Sequence, residues 1–241
     1  MKILSIGNSF SQDAQRYLFR VAKKAGHTFK TVNLDIGGCS LRTHYINTLE
    51  DKATYSFEYN GEDIGLAVSI KQLLISDEWD VITLQQASHL SAHYETYTPY
   101  LERLLEYIKK YCPHSKIYMH QTWAYEDGSQ RLKEVGGYDS AEEMFTNIRE
   151  AYANAAQAIQ ADGILPCGQA MLNATKMGMK KIHRDTFHAS LGAGRYLLAL
   201  TWYKALTGKD ITNNDFDDFD EPVSDEERKI VIKAVNAAFN D

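Results

Sequence analysis

Short apolar runs alternate with segments whose apolar residues recur every three or four positions, and this alternation most narrows what the chain can fold into. Residues 3–6 are apolar but for Ser5 and end at Gly7, as expected of a strand buried on both faces. Leu18, Val21, Ala22 and Ala25 follow at helical spacing across residues 12–24, and Gly26 closes that helix. Further strands are predicted over 29–36, 79–84, 116–120 and 163–165. Helices are predicted over 68–74, through Tyr97, Leu101, Leu104, Leu105 and Ile108, through Phe145, Ile148, Tyr152, Ala156 and Ile159, and over 191–206 and 225–239. Pro113 stops the helix of Tyr97 to Ile108, and Ser224 with Glu227 forms a capping box before the last. The less regular stretch 41–65 holds a hairpin with its turn at Asn60-Gly61.

Strand–helix alternation of this kind predicts a parallel five-stranded sheet with helices on both faces, a three-layer α/β/α sandwich. No repeat, linker or low-complexity tract interrupts it, so residues 1–241 are expected to form a single domain.

Charge and composition exclude several roles. The 241 residues are 44% hydrophobic and 24% charged with a net charge of -6, and no lysine–arginine run supports a nucleic-acid partner. The acidic stretch 215–221 reads as a solvated loop. No apolar run approaches the ~20 residues of a membrane span. Only a few apolar residues follow Lys2 before Gly7, so no signal peptide is expected. Cys39, Cys112 and Cys167 lack metal-ligand spacing and suit a reducing compartment. A cytoplasmic location is expected, or a secreted or periplasmic one if a leader precedes this sequence.

In an open parallel sheet, ligands bind outside the carboxyl ends of the strands. The segments expected there are Gly7-Asn8-Ser9, Gly37-Gly38-Cys39, Gln85-Gln86-Ala87-Ser88 and 121–125. Ser9 has two readings: with Gln12 it makes a capping box, or it is a nucleophile in need of a base. Asp185 and His188, three residues apart before a helix, can supply an orienting carboxylate and a general base. His183 is a rival base without that spacing.

Together, Gly7-Asn8-Ser9, Gly38, a polar amide after the third strand and Asp185-x-x-His188 resemble the SGNH (GDSL-like) hydrolase superfamily, over nearly the whole chain and in the expected order. The sequence is most similar to a largely uncharacterised bacterial branch. The resemblance implies the flavodoxin-like fold, a cofactor-free serine hydrolase, Ser9 as nucleophile, His188 as base and Asp185 as its orienter. It also implies an oxyanion hole from the Ser9 and Gly38 N–H groups and a third donor. Two departures stand out: Asn8 replaces the usual aspartate, and Gln85-Gln86 replaces Gly-x-Asn-Asp, with Gln86 favoured over Gln85 as third donor.

The expected activity is hydrolysis of a small acyl ester, acetyl foremost, on a small molecule or glycan. Trp123 and Tyr125 are expected at the rim, where they stack on a sugar or cover the helix layer. Two other classes compete: a non-catalytic glycan-binding module on the same fold, and a metal-dependent hydrolase using His89, His93, Asp185 and His188. The i, i+4 spacing of His89 and His93 suits a metal only on a helix. Cys39 lacks a base in sequence and reads as a small buried hydrophobe.

Overall fold

The computed structural model describes residues 1–240. Its centre is one seven-stranded sheet in the order β4-β3-β2-β1-β5-β6-β7. The strands are β1 (Lys2–Gly7), β2 (Lys30–Asp35), β3 (Tyr55–Tyr59), β4 (Glu62–Val68), β5 (Val81–Leu84), β6 (Lys116–His120) and β7 (Gly163–Leu165). The five expected strands form the parallel part, β2-β1-β5-β6-β7. The count of five is corrected to seven, because the hairpin β3–β4 pairs antiparallel with β2 and extends the same sheet. Its turn places Asn60 and Gly61 at φ 51 and 85, the left-handed pair that matches the twist of a two-residue hairpin.

The helices are α1 (Ser9–Gln15), α2 (Leu18–Lys24), α3 (Leu41–Leu49), α4 (Ile70–Leu74), α5 (Tyr100–Tyr111), α6 (Ala141–Ala158), α7 (Cys167–Lys176), α8 (Ala193–Thr207) and α9 (Asp225–Ala237). Side chains alternate across β1: Ile3 joins the core under α1, α2, α7, α8 and α9, while Leu4 and Ile6 join the core under α3 to α6. Period-two alternation with both faces buried is why the strands read as apolar runs.

The first predicted helix is two. α1 ends at Gln15 and α2 begins at Leu18, and the hairpin turn explains the break. The Arg16 guanidinium donates to the Gly61 carbonyl at 2.9 Å. A Cβ on Gly61 would collide with the Arg16 carbonyl. Residues 41–49 and 167–176 are helices that periodicity alone did not disclose.

The parallel strands run in the order 2-1-3-4-5, which puts the switch point between β1 and β5. Ser9 follows the first of these strands and Gln85 the second. Gly7 makes the strand-to-helix exit possible through space rather than torsion. A Cβ there would overlap Ser11 Oγ and lie 3.2 Å from Gln85 Cδ. Gly7→Ala is expected to cost about 1–3 kcal/mol of stability through overpacking, read as a lowered urea midpoint at unchanged slope.

Candidate active site

Two turns of chain bring the predicted site together. α1 is capped by Asn8, whose side-chain oxygen accepts the Phe10 N–H at 3.0 Å, and Ser11 Oγ accepts the Asn8 N–H at 3.1 Å. The capping box is therefore Asn8 with Ser11, not Ser9 with Gln12. This frees the Ser9 hydroxyl at the first helical position. Its Oγ lies 2.8 Å from His188 Nε2.

Asp185 and His188 form their own local unit. Asp185 Oδ1 accepts the His188 N–H at 2.9 Å, and Oδ2 lies 2.7 Å from His188 Nδ1. An Nδ1–H donated to the carboxylate leaves the Nε2 lone pair facing the Ser9 hydroxyl. Partial burial pushes the Asp185 carboxyl up, but hydrogen bonds from the His188 ring and backbone, with the nearby Arg184 charge, hold it below the ordinary value. The arrangement can move a proton from a hydroxyl to an imidazole while a carboxylate fixes the tautomer.

Asp13 joins the two halves. It stands one helical turn after Ser9 and is fully buried. Its two oxygens accept from Arg184 at 2.9 and 2.8 Å, and one also accepts from Arg195 Nε at 2.8 Å. Arg195 continues to Asp220 at 2.6 Å, and Arg16 grips the same carboxylate through two nitrogens. Hydrogen bonding to Arg16 foremost, then to Arg195, lowers the Asp220 carboxyl to about 2. The i, i+4 spacing of Ser9 and Asp13 and the position of Arg184 beside Asp185 were the available signals for this network.

The glutamines turn inward. Gln86 Oε1 accepts the Leu41 and Ala87 N–H groups, and Nε2 donates to the Thr96 carbonyl and hydroxyl at 3.1 Å each. Gln86 is fully buried with both amide hydrogens committed, which corrects the expectation that it is the oxyanion donor. Gln85 Nε2 donates to Asn8 Oδ1 at 2.6 Å, and its Oε1 meets His120 Nδ1 at 2.6 Å. Asn8 Nδ2 in turn donates to the Cys39 carbonyl at 3.1 Å. A buried relay thus runs from His120 through Gln85 and Asn8 to the loop that carries Gly38. Gly38 is exposed in a turn at φ 65.

Trp123 and Tyr125 are 1% and 0% exposed, so the expectation that they stack on a sugar is corrected. Trp123 lies flat on Phe10 at 4.1 Å and donates its indole N–H to the Phe187 carbonyl at 2.7 Å. Tyr125 packs edge-on to Phe187 and shares a 3.1 Å hydrogen bond with Ser88. Both support the loop that carries His188 from beneath. His183 Nε2 donates to the Ala124 carbonyl at 3.2 Å, and burial lowers its ring to about 4. His89 and His93 lie in turns rather than on a helix, and among the described residues no three His, Cys, Asp or Glu side chains gather to hold a metal. Cys39 is buried 3.5 Å from His44, and burial pushes its thiol up to about 12. A thiol so held stays protonated and weakly nucleophilic.

Asp35, at the end of β2 and level with Gly7, was not anticipated. Burial first, then the charges of Glu58, Asp63 and Asp13, push its carboxyl up to about 7.

Two tests follow from these charges. Asp13→Asn removes the shared anion from two arginines and is expected to cost about 2–4 kcal/mol, less than a fully buried pair because Arg184 and Arg195 retain some exposure. Hydrogen exchange should then show residues 184–189 opening first. For Asp35, the folded carboxyl holds its proton up to about 7, whereas the unfolded one releases it near ~3.9. Stability from this group is therefore full below the unfolded value and is lost as pH rises through about 7. Asp35→Asn should stabilise the protein at pH 8 by roughly 2–4 kcal/mol and make little difference at pH 4, measured by urea unfolding.

Comparison with known proteins places this geometry in a family. The model of a domain of unknown function (DUF4886) matches residues 2–240. A solved DUF4886 family protein from Bacteroides uniformis is 33% identical with a TM-score of 0.91, over 100% of this chain and 95% of that one. A proposed SGNH hydrolase from Slackia heliotrinireducens is 22% identical with a TM-score of 0.62, over 86% and 98%. An acetylxylan esterase from Geobacillus stearothermophilus is 15% identical with a TM-score of 0.51, over 86% and 94%. Among proteins with curated descriptions, no significant sequence match is found. With a family match over nearly every residue and the same sheet carrying Ser9, Asp185 and His188 at its rim, the chain belongs to the DUF4886 family and is built on the fold of the SGNH hydrolases.

Proposed function

We propose that residues 1–241 act as one SGNH-type serine esterase that removes a small acyl group through a Ser9–His188–Asp185 triad. The observation that carries this reading is the continuous hydrogen-bonded line from Ser9 Oγ to His188 Nε2 at 2.8 Å and from His188 Nδ1 to Asp185 Oδ2 at 2.7 Å.

In this mechanism Ser9 Oγ attacks the ester carbonyl as its proton passes to His188 Nε2. The tetrahedral oxyanion is met by the backbone N–H groups of Ser9 and Gly38. The imidazolium then protonates the departing alcohol, leaving Ser9 acylated. Water attacks the acyl-enzyme, gives its proton to the same nitrogen, and the carboxylic acid leaves as Ser9 recovers its proton. Asp185 stays ionised throughout and holds the ring's tautomer.

A small acyl group suits a rim where Asp185 is 45% exposed and His188 only 17%. A glycan as the alcohol is supported by the acetylxylan esterase that shares the fold. Asn8's capping of α1, which leaves the Ser9 hydroxyl on His188, favours an enzyme over a glycan-binding module.

A fluorophosphonate should label Ser9, located by peptide mapping, and the label should be absent from Ser9→Ala. Ser9→Ala and His188→Ala should each lower kcat on 4-nitrophenyl acetate by about 10⁴–10⁶, with the double variant no worse, because triad members act as a unit. Asp185→Asn should lower kcat by about 10⁴ while Ser9 stays in place. An unlabelled Ser9, or single losses that add in the double variant, would remove the assignment.

A further inference from the structure

We propose that Arg131 is a substrate-binding residue that recognises a carboxylate on the ester. This inference rests on the esterase reading above and specifies which esters that site prefers.

Arg131 lies in the loop between β6 and α6, just before a short π-helical turn, Leu132–Gly136. Its guanidinium carbon sits 3.6 Å over the Phe187 ring and 5.2 Å from the Tyr125 ring. The Phe187 ring is itself 3.8 Å from the His188 ring. Two steps of under 4 Å each therefore separate a fixed positive charge from the base of the triad.

The placement is built rather than incidental. The Glu126 N–H donates to the Thr186 carbonyl at 2.7 Å, tying this loop to the residue before Phe187. The Trp123 indole holds the Phe187 carbonyl. Leu132, next to Arg131, is fully buried and anchors the loop from below.

Its polar groups are nevertheless unspent. Arg131 Nε is buried without a hydrogen-bond partner. Among the described residues, the guanidinium enters no ion pair and donates no side-chain hydrogen bond. Arg16, Arg20, Arg103, Arg184 and Arg195 all find carboxylates. Arg42 and Arg149 are exposed, where water satisfies them, and Arg228 donates to the Phe216 carbonyl at 2.6 Å. Arg131 alone combines partial burial, aromatic stacking and proximity to the triad. Of the acids in the same loop, Asp127 caps the Ala141 N–H and Glu134 accepts from Gln130.

Stacking uses the face of a guanidinium and leaves its edge of N–H donors free. That edge matches a carboxylate bidentately, and the partial exclusion of water strengthens the contact. The carboxylate can belong to the acyl part, as in a dicarboxylic half-ester, or to the alcohol part, as in an acetylated uronic acid.

Two substrate pairs distinguish these sources: 4-nitrophenyl acetate against mono-4-nitrophenyl glutarate, and the 3-O-acetyl esters of methyl galactoside against methyl galacturonoside. The acidic member of one pair should have the higher kcat/KM by about 10–100-fold, the range of a charge-assisted hydrogen bond. Arg131→Gln should erase that preference by lowering kcat/KM on the acidic member by about 10–100-fold, with a far smaller loss on 4-nitrophenyl acetate. Arg131→Lys should recover part of it, since the charge returns without the planar fork. The Ser9 fluorophosphonate labelling rate reports whether each variant keeps its catalytic loop. Equal handling of acidic and neutral members in both pairs, or an equal loss on both in Arg131→Gln, would overturn the proposal while leaving the esterase reading intact. Failure of Ser9-dependent turnover on 4-nitrophenyl acetate would instead bring down both.

Discussion

The buried Asp13 carboxylate is the interaction on which the site depends. Ser9 reaches the rim on α1, and His188 reaches it on a loop some 180 residues later in the chain. A 2.8 Å contact between them requires that helix and loop be fixed to one another within a few tenths of an ångström. Asp13 does this from the same helix as Ser9 by holding Arg184, the neighbour of Asp185, and Arg195 at the start of α8. An anion removed from water is costly by itself, and two guanidinium groups offset that cost. The pair Arg195–Asp220 and the clamp of Arg16 on Asp220 extend the lattice back to α1. Ser9, His188 and Asp185 are therefore held in place by one charge network.

A second constraint comes from below the rim. The relay His120–Gln85–Asn8–Cys39 crosses from β6 through β5 and β1 to the loop after β2. Each amide both donates and accepts, so no member can rotate without stranding a neighbour in the interior. Burial lowers the His120 ring to about 3, and a neutral ring is what a relay of neutral amides requires. The result is a fixed distance between the turn bearing Ser9 and the turn bearing Gly38.

Much of this was legible in the sequence where the determinants are local. The parallel strands announce themselves because both faces are buried, and the Asp185–His188 pair is legible because three residues of chain suffice to close it. Gly38 and Ser9 could be placed once a parallel sheet was inferred, since both follow strand ends. The rest depended on contacts that sequence spacing does not encode. The hairpin was visible, but its pairing with β2 is set by side chains such as Glu58 meeting Asn33 across strands. Adjacent glutamines look interchangeable, yet Gln85 and Gln86 point to opposite sides of β5's exit, one to Asn8 and the other to Thr96. Trp123 and Tyr125 looked like a rim because of where their strand ends; the loop 183–188 folds over them, and Phe187 takes the outer place. Asp13 and Arg184 are 171 residues apart, beyond any local rule.

The departure at Asn8 finds its reason in the same contacts. Position 8 must accept from the Phe10 N–H and from Gln85, and must also donate to the Cys39 carbonyl. An amide does all three, whereas an ionised aspartate can only accept. A carboxylate there would face the Cys39 carbonyl oxygen with no proton to offer. It would also join Glu58, Asp63 and Asp13, whose charges add to burial in pushing the Asp35 carboxyl up to about 7. Burial does the same to Glu58 in part, against hydrogen bonds from Asn33 and Gln12. The neutral amide keeps the helix cap and the Gly38 turn in place.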